Sequence, residues 1–302
     1  MSKKILVATE KPFSPVAVKK IKDVVEKNGH ELILLEKYTD KAQLLDAVKD
    51  VDALIVRSDK VDQEVLDAAK NLKIVVRAGA GYDNLDTTYA AKKNVVCENT
   101  PGQNSNAVAE LVFGLAVMAV RNFYNGKSGG ELKDRKLGIH GMGHVGQNVA
   151  RIGNGFGMQV YSYRRSKEDE PGVTRLNSTE ELYKTCDVIS LHIPSNDKTA
   201  KSINYELLKL LPEGAILVNS ARKEVINEDD LLKIMNERPD IKFVTDLKPD
   251  KDEEFSKLEG RYFTTPKKMG AQTAEANINA GVAAAEQICR YFESGDETFR
   301  VN

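Results

Sequence analysis

Gly141, Gly143 and Gly146, in "GIHGMGHVGQNVA", have the G-x-G-x-x-G spacing. When a strand leads in and a helix leads out, that spacing serves the capture of a dinucleotide pyrophosphate. Gly141 permits the tight turn, Gly143 lets the phosphates approach the backbone, and Gly146 lets helix and strand pack closely. A helix opening at His144 and Val145 turns free N–H groups and a positive dipole end toward an anion. "KLGIH" reads as the strand and "VGQNVARIGNGFG" as the helix. The bland alternative is a glycine-rich turn with no ligand. About 20 positions on, a carboxylate usually hydrogen-bonds the ribose hydroxyls. "MQVYSYRRS" puts Arg164 there, with Arg165 beside it. A guanidinium suits a 2′-phosphate, so NADP stands beside NAD as the cofactor. Arginines facing solvent over the adenine are the other reading. A second stretch, "TPKKMGAQTAEA", sets Lys267 and Lys268 between a proline and a Gly-Ala turn. The types allow either a surface loop or a proton-transfer group.

The elements that carry these residues alternate. "KILVAT", "ELILLE", "ALIVR" and "KIVVR" read as strands, with helices from Pro15 and with caps at Asp40 and Asp62 between them. The rhythm restarts at "KLGIHGMGHVG" and runs through "DVISLHI", "AILVNSA" and "KFVTDL". Such β-α repetition predicts an α/β protein of two doubly wound, parallel-sheet domains, Rossmann- or flavodoxin-like, with a cleft between them. "NAVAELVFGLAVMAV", 106–120, is apolar nearly all round but holds Glu110 and is too short to span a bilayer. It reads as a helix buried between domains or between subunits. An Ala-rich helix is expected from about Thr273 to Ser294, stopped by Gly295.

A net charge of −1 with no Lys/Arg block gives no reason to expect a nucleic acid or an anionic membrane as partner. Three scattered cysteines, Cys97, Cys186 and Cys289, lack metal-ligand spacing and fit a reducing compartment. The apolar run Ile5 to Ala8 is too short for a signal-peptide core. No metal site and a cytoplasmic location are expected.

"VRSDKVD", "VRAGAGYDNLD", "NTPGQNSNAVAELVFGL", "GMGHVGQNVA", "LHIPSNDKT" and "LVNSARKEVINEDDL" occur in an order that resembles the D-isomer-specific 2-hydroxyacid dehydrogenases, over the whole chain. The resemblance implies a discontinuous substrate domain, 1–97 with 275–302, around a nucleotide-binding domain at 98–274. It implies a homodimer through the 106–120 helix and no appended regulatory domain. Beside the glycine loop, it assigns His192, Pro194, Thr199, Ser220, Ala221, Asp246, Gly270 and Ala271 to the cofactor. Arg57, Ser58, Arg77, Ala78, Gly79 and Asn104 fall to the substrate. Two arginines at strand ends suit a phosphate as well as a carboxylate, surface ion pairs being the plainer reading. Arg222, after "AILVN", matches the arginine that holds the substrate carboxylate and polarises the C2 carbonyl, although Lys223 replaces the usual glycine.

One departure is large. The family's usual histidine, and the glutamate that orients it, are both missing. Register back from Gly270 puts Lys268 in the histidine's place, and Lys251 stands near the glutamate's, with Asp250, Asp252 and Glu253 out of register. A lysine titrates near 10.4. Burial against a nicotinamide and the charge of Arg222 would have to lower that by about 3 units for acid/base work near neutrality. The expected reaction is reversible hydride transfer between 3-phospho-D-glycerate, a small phosphorylated 2-hydroxy acid, and a nicotinamide cofactor. An NADPH-linked reductase of glyoxylate or hydroxypyruvate and a non-catalytic dinucleotide sensor remain as alternatives.

Overall fold

The computed structural model describes residues 2–163 and 170–302. The described chain divides into two compact units, Met1–Asn104 with Thr273–Asn302, and Ser105–Gln272.

In the first unit the strands are β1 (Lys4–Thr9), β2 (Glu31–Glu36), β3 (Ala53–Val56), β4 (Ile74–Arg77) and β5 (Val96–Asn99). They form one parallel sheet in the order β2-β1-β3-β4-β5. This is the flavodoxin-like order, whose direction reverses between β1 and β3. Helices α1 (Pro15–Lys27), α2 (Lys41–Ala47), α3 (Gln63–Ala68) and α4 (Thr87–Lys92) connect them. Parallel strands covered on both faces must be apolar on both, and β1 runs from Ile5 to Thr9 without solvent exposure. Leu6 and Ala8 face a core with α2, α3 and α4, while Ile5 and Val7 face one with α1. The short polar residues before each helix act as caps: Ser14, Asp40, Asp62 and Asp86 each accept a backbone N–H of the first turn.

In the second unit α5 (Ser105–Val120) precedes β6 (Lys136–His140), α6 (His144–Gly155), β7 (Gln159–Tyr163) and β8 (Thr174–Arg175). There follow α7 (Thr179–Thr185), β9 (Val188–Leu191), α8 (Tyr205–Leu208), β10 (Ile216–Asn219), α9 (Glu228–Glu237), β11 (Lys242–Thr245), α10 (Asp252–Ser256) and β12 (Tyr262–Thr264). Their seven-stranded parallel sheet has the order β12-β11-β10-β9-β6-β7-β8. Inside the unit this is the Rossmann order with one strand added, and it reverses between β6 and β9. The all-round apolar α5 buries Val112, Phe113, Leu115 and Ala116 against α6, β10 and β11. Lys242 donates from Nζ to Ala119 O at 2.8 Å, a cation at the helix C-terminus. No helix among the described residues is long and apolar enough to cross a membrane.

The chain then re-enters the first unit as α11 (Ala274–Ser294), capped by Thr273 and stopped by left-handed Gly295. It packs along α1, and Gly281 is what lets it come close. A Cβ there would stand 2.8 Å from Ile21 and 3.0 Å from Phe13. The last residues cover the open edge of the sheet: Val301 donates to Cys97 O, and Asn302 bonds both Cys97 N and Val95 O.

Glu98 lies beneath that cover, 1% exposed, with Oε1 unpartnered among the described residues. Burial first, then the nearby Asp296 charge, raises its carboxyl to about 7 from a normal 4.5. Between those values the folded chain keeps a proton that the unfolded chain releases, so stability falls as pH rises across the window. Glu98→Gln should therefore raise Tm at about pH 8 and leave it unchanged at about pH 4, read by thermal melts across that range.

Candidate active site

The three glycines of the loop after β6 meet three different constraints. Gly141 has φ +102°, and a Cβ on it would stand 2.8 Å from the His192 backbone. A Cβ on Gly143 would meet nothing within 4 Å, so the surface over that residue is open. At Gly146 it would stand 2.4 Å from Gly141 O. These are the turn, the approach and the packing that a pyrophosphate loop requires. Gly143 is the N-cap of α6 and supplies no side-chain bond. The first-turn amides, from His144, Val145 and Gly146, have no carbonyl within the helix to accept them and are presented to an anion.

Beside the loop, a cavity of about 440 Å³ opens at the carboxyl ends of β6 and β7, lined by His140, Tyr163, Ile193, Lys198 and Thr199 among others. Tyr163, His140, Ile193 and Leu207 of this otherwise polar lining are flat or apolar, the character that suits an adenine face. Thr199 donates to Pro194 O at 2.5 Å and accepts from Asn196 N, closing the turn that forms the cavity's wall. His192, just past β9, has Nε2 2.7 Å from Ser190 Oγ, and burial followed by the neighbouring His140 lowers its pKa, so the ring is neutral near pH 7. Arg164, the residue that bears on NAD against NADP, lies outside the described residues.

Two strands from β6 in the sheet, Asn219 ends β10 and staples the turn that follows. Its Oδ1 accepts Ala221 N at 3.0 Å, and its Nδ2 donates to Arg222 O at 3.0 Å. Arg222 is thereby held in extended backbone with an exposed side chain. Ser220, just past β10, is 6% exposed, and its Oγ has no hydrogen-bond partner among the described residues.

Lys267 and Lys268 are both exposed in the turn after β12, and Gly270 behind them is buried. The chain by itself therefore does not desolvate Lys268. Asp246, just past β11, is 1% exposed and takes Thr265 Oγ1, Met269 N and Gly270 N, all within 2.8 Å. Ala271 follows, half-buried. The segment near the expected glutamate is engaged elsewhere. Glu228 accepts Asp250 N and Lys251 N, while Lys251 pairs with Asp229 and Lys223 with Asp250.

In the first unit, Arg57 is committed within the protein. Nη1 donates to Lys11 O (2.8 Å) and Pro12 O, Nη2 to Asn277 Oδ1 (2.5 Å), and the guanidinium lies over Phe13. Arg77 differs. Its Nε donates to Arg57 O at 3.0 Å, and neither η nitrogen has a hydrogen bond among the described residues. Burial and then the Arg57 charge lower its pKa. The guanidinium folds back over Gly79, whose φ is +149° and where a Cβ would stand 1.6 Å from Nη1. Ala78 is buried and bonded to Val56 O, Ser58 is exposed, and Asn104 is half-buried in the turn before α5. A half-buried guanidinium with η donors open among the described residues, beside a glycine loop, has the chemistry that suits an anion.

The comparisons with known proteins follow this geometry. The model for "D-isomer specific 2-hydroxyacid dehydrogenase, NAD binding domain" matches residues 113–265. A hydroxypyruvate reductase of Thermotoga maritima is 34% identical over 283 residues, covering 86% of this chain and 91% of its own. A D-3-phosphoglycerate dehydrogenase of Methanocaldococcus jannaschii is 35% identical over 82% of this chain, which spans about half (51%) of that protein. An NAD+-bound 3-phosphoglycerate dehydrogenase structure from Entamoeba histolytica has a TM-score of 0.86 at 46% identity, with 100% of this chain and 99% of that one covered. The chain belongs to the D-isomer-specific 2-hydroxyacid dehydrogenase family, the NAD(P)-dependent oxidoreductases with this two-domain α/β fold.

Asn219 and Thr265 went unread in the sequence, although an Asx staple at a strand end is a recognisable use of asparagine. Gly146→Ala should weaken NAD+ binding at least about 10-fold in a fluorescence titration, because a methyl would press on Gly141 O. Gly155→Ala, in open space at the end of the same helix, should bind normally and stabilise by about 0.5–1 kcal/mol.

Proposed function

We propose that this protein is a 3-phospho-D-glycerate dehydrogenase, interconverting that acid and 3-phosphohydroxypyruvate, a first step toward L-serine. The observation that carries the reading is the Arg77 guanidinium in the substrate unit, with η donors open among the described residues. Similarity to the amoebal enzyme supports it. Arg77 holds the phosphate, with Arg57 as its brace. NAD binds by its pyrophosphate at Gly141–Gly146 and, when bound, supplies the hydride acceptor for C2. Arg222 balances the substrate carboxylate and the oxygen on C2. Lys268 takes the hydroxyl proton as the C2–H bond breaks, and returns it in reduction. Because the chain leaves this amine exposed, bound cofactor and substrate must supply the burial that makes it a base near neutrality. Partly exposed Leu111, Val117 and Met118 on α5 offer an apolar strip for a second copy.

The identity of the Thermotoga relative favours a second reading, a glyoxylate or hydroxypyruvate reductase. Rates with NADH and NADPH against phosphohydroxypyruvate, hydroxypyruvate and glyoxylate decide between them. A preference for the phosphorylated acid is expected, and equal rates on the plain acids refute it. Cofactor binding without turnover on any acid would point to a sensor. Arg77→Ala should lower kcat/KM about 10–100-fold on the phosphorylated acid alone. Lys268→Ala should cut kcat about 10²–10⁴-fold with NAD affinity kept, and Lys267→Ala should change little.

A further inference from the structure

We propose that Asp59 is the positioning residue for Arg77, holding the turn after β3 whose carbonyl aims that guanidinium at a phosphate. The inference rests on Arg77 as the phosphate-holding group of the proposed reaction. An arginine recognises an oxyanion through the direction of its planar fork, so what fixes the fork sets the selectivity. Among the described residues the Arg77 side chain makes one hydrogen bond, from Nε to Arg57 O at 3.0 Å. Its aim therefore depends on where that carbonyl stands.

Asp59 sets the carbonyl from within the turn. Its Oδ2 accepts Arg57 N at 3.2 Å, closing residues 57–59 on themselves. Its Oδ1 accepts Glu10 N at 2.7 Å, just past β1, and Tyr38 Oη at 2.9 Å, two residues past β2. The Asp59 carbonyl accepts Asn84 Nδ2 at 2.7 Å, from the loop after β4. One residue, 4% exposed, thus ties together the carboxyl ends of four neighbouring parallel strands, the side on which open α/β sheets bind ligands. Burial and then the bond to Asp59 raise the Tyr38 phenol well above its ordinary pKa, so it stays a donor. Asp59 does this without covering the arginines. Its oxygens face main-chain N–H groups and a phenol, and no ion pair among the described residues joins it to Arg57 or Arg77. A carboxylate on the guanidinium would compete with the phosphate; one that grips the loop leaves the fork free to meet it.

An amide cannot reproduce the pattern. Whichever way Asn is turned at 59, its NH2 meets a backbone N–H, that of Arg57 or that of Glu10. Reduction of phosphohydroxypyruvate and of hydroxypyruvate by D59N, Y38F, R77A and the two doubles with R77A, beside cofactor titrations, tests the assignment. D59N should raise KM for the phosphorylated acid about 10-fold with kcat changed less than about 2-fold, the pattern of a lost binding contact. Y38F, which removes one bond and little volume, should raise it about 3-fold. In both, kcat/KM for hydroxypyruvate and the cofactor Kd should stay within about 2-fold. On the R77A background neither should lower kcat/KM for the phosphorylated acid by more than about a further 2-fold. D52N controls for a merely structural role. Asp52 joins β1 and β3 at their opposite, amino ends, accepting Lys4 N at 2.9 Å and Lys3 Nζ at 3.0 Å, so D52N should lower Tm and leave both kcat/KM values alone. Equal losses on the two acids, a D52N effect on KM as large as that of D59N, or losses that multiply on R77A overturn the assignment. Should D59N fail to fold, Y38F carries the same comparison, and an unchanged KM there also overturns it. Failure of the underlying phosphate reading looks different, because R77A alone would then leave the preference for the phosphorylated acid intact.

Discussion

The carbonyl oxygen of Asn219 accepts two bonds from the neighbouring strand, one from Asp246 N and one from Thr245 Oγ1. That shared acceptor locks the carboxyl ends of β10 and β11 together, and two candidate groups of the larger unit depend on it. The Asn219 side chain dictates the turn that presents Arg222. From the next strand end, the Asp246 side chain grips the turn of Lys268. Parallel strands end on the same side of a sheet, so fixing two adjacent ends sets two loops at once. A cavity-forming change in β10 or β11 would therefore reach both groups without touching either.

Phosphate recognition in this unit uses the opposite strategy. Little charge is concentrated at the glycine loop; it offers an anion main-chain N–H groups and open space over Gly143. Tyr163, the residue before Arg164, stands at a cavity with Ile193 and His140 in its wall. His140, at the end of β6, and His192, just past β9, have their pKa values lowered by burial. They shape the pocket without adding charge to it.

Much of this was legible in the order of residues. The glycine spacing meant something because a strand and a helix flanked it, and the caps at Asp40 and Asp62 and the stop at Gly295 sit where short polar residues and glycine were read. Local rules suffice for such features. Arg57 shows where they end. Read as half of an anion-binding pair, it is tied to Asn277, 220 positions away, and no pattern along the chain announces that partner. Asp246 was assigned to the cofactor by the family resemblance, and its three internal donors come from a loop about 20 residues on. The lysine in place of a histidine was visible only through the family pattern. The ties of Lys223, Glu228 and Lys251 around the vacated glutamate position required coordinates.

The smaller unit is assembled from both ends of the chain, and this has a consequence for its birth. During vectorial synthesis β1 to β5 leave the ribosome early, yet the apolar face formed by Ile5, Val7, Ile55 and Val76 waits for Ala280, Ala284 and Ile288 of α11. The edge at β5 waits still longer, for Val301 and Asn302. In between, every residue of the nucleotide-binding unit emerges. That unit can fold co-translationally on its own contacts, while a nascent half-sheet stays tethered and incomplete beside it. Chaperone demand should accordingly fall on residues 1–104, the part translated before the larger unit and finished after it.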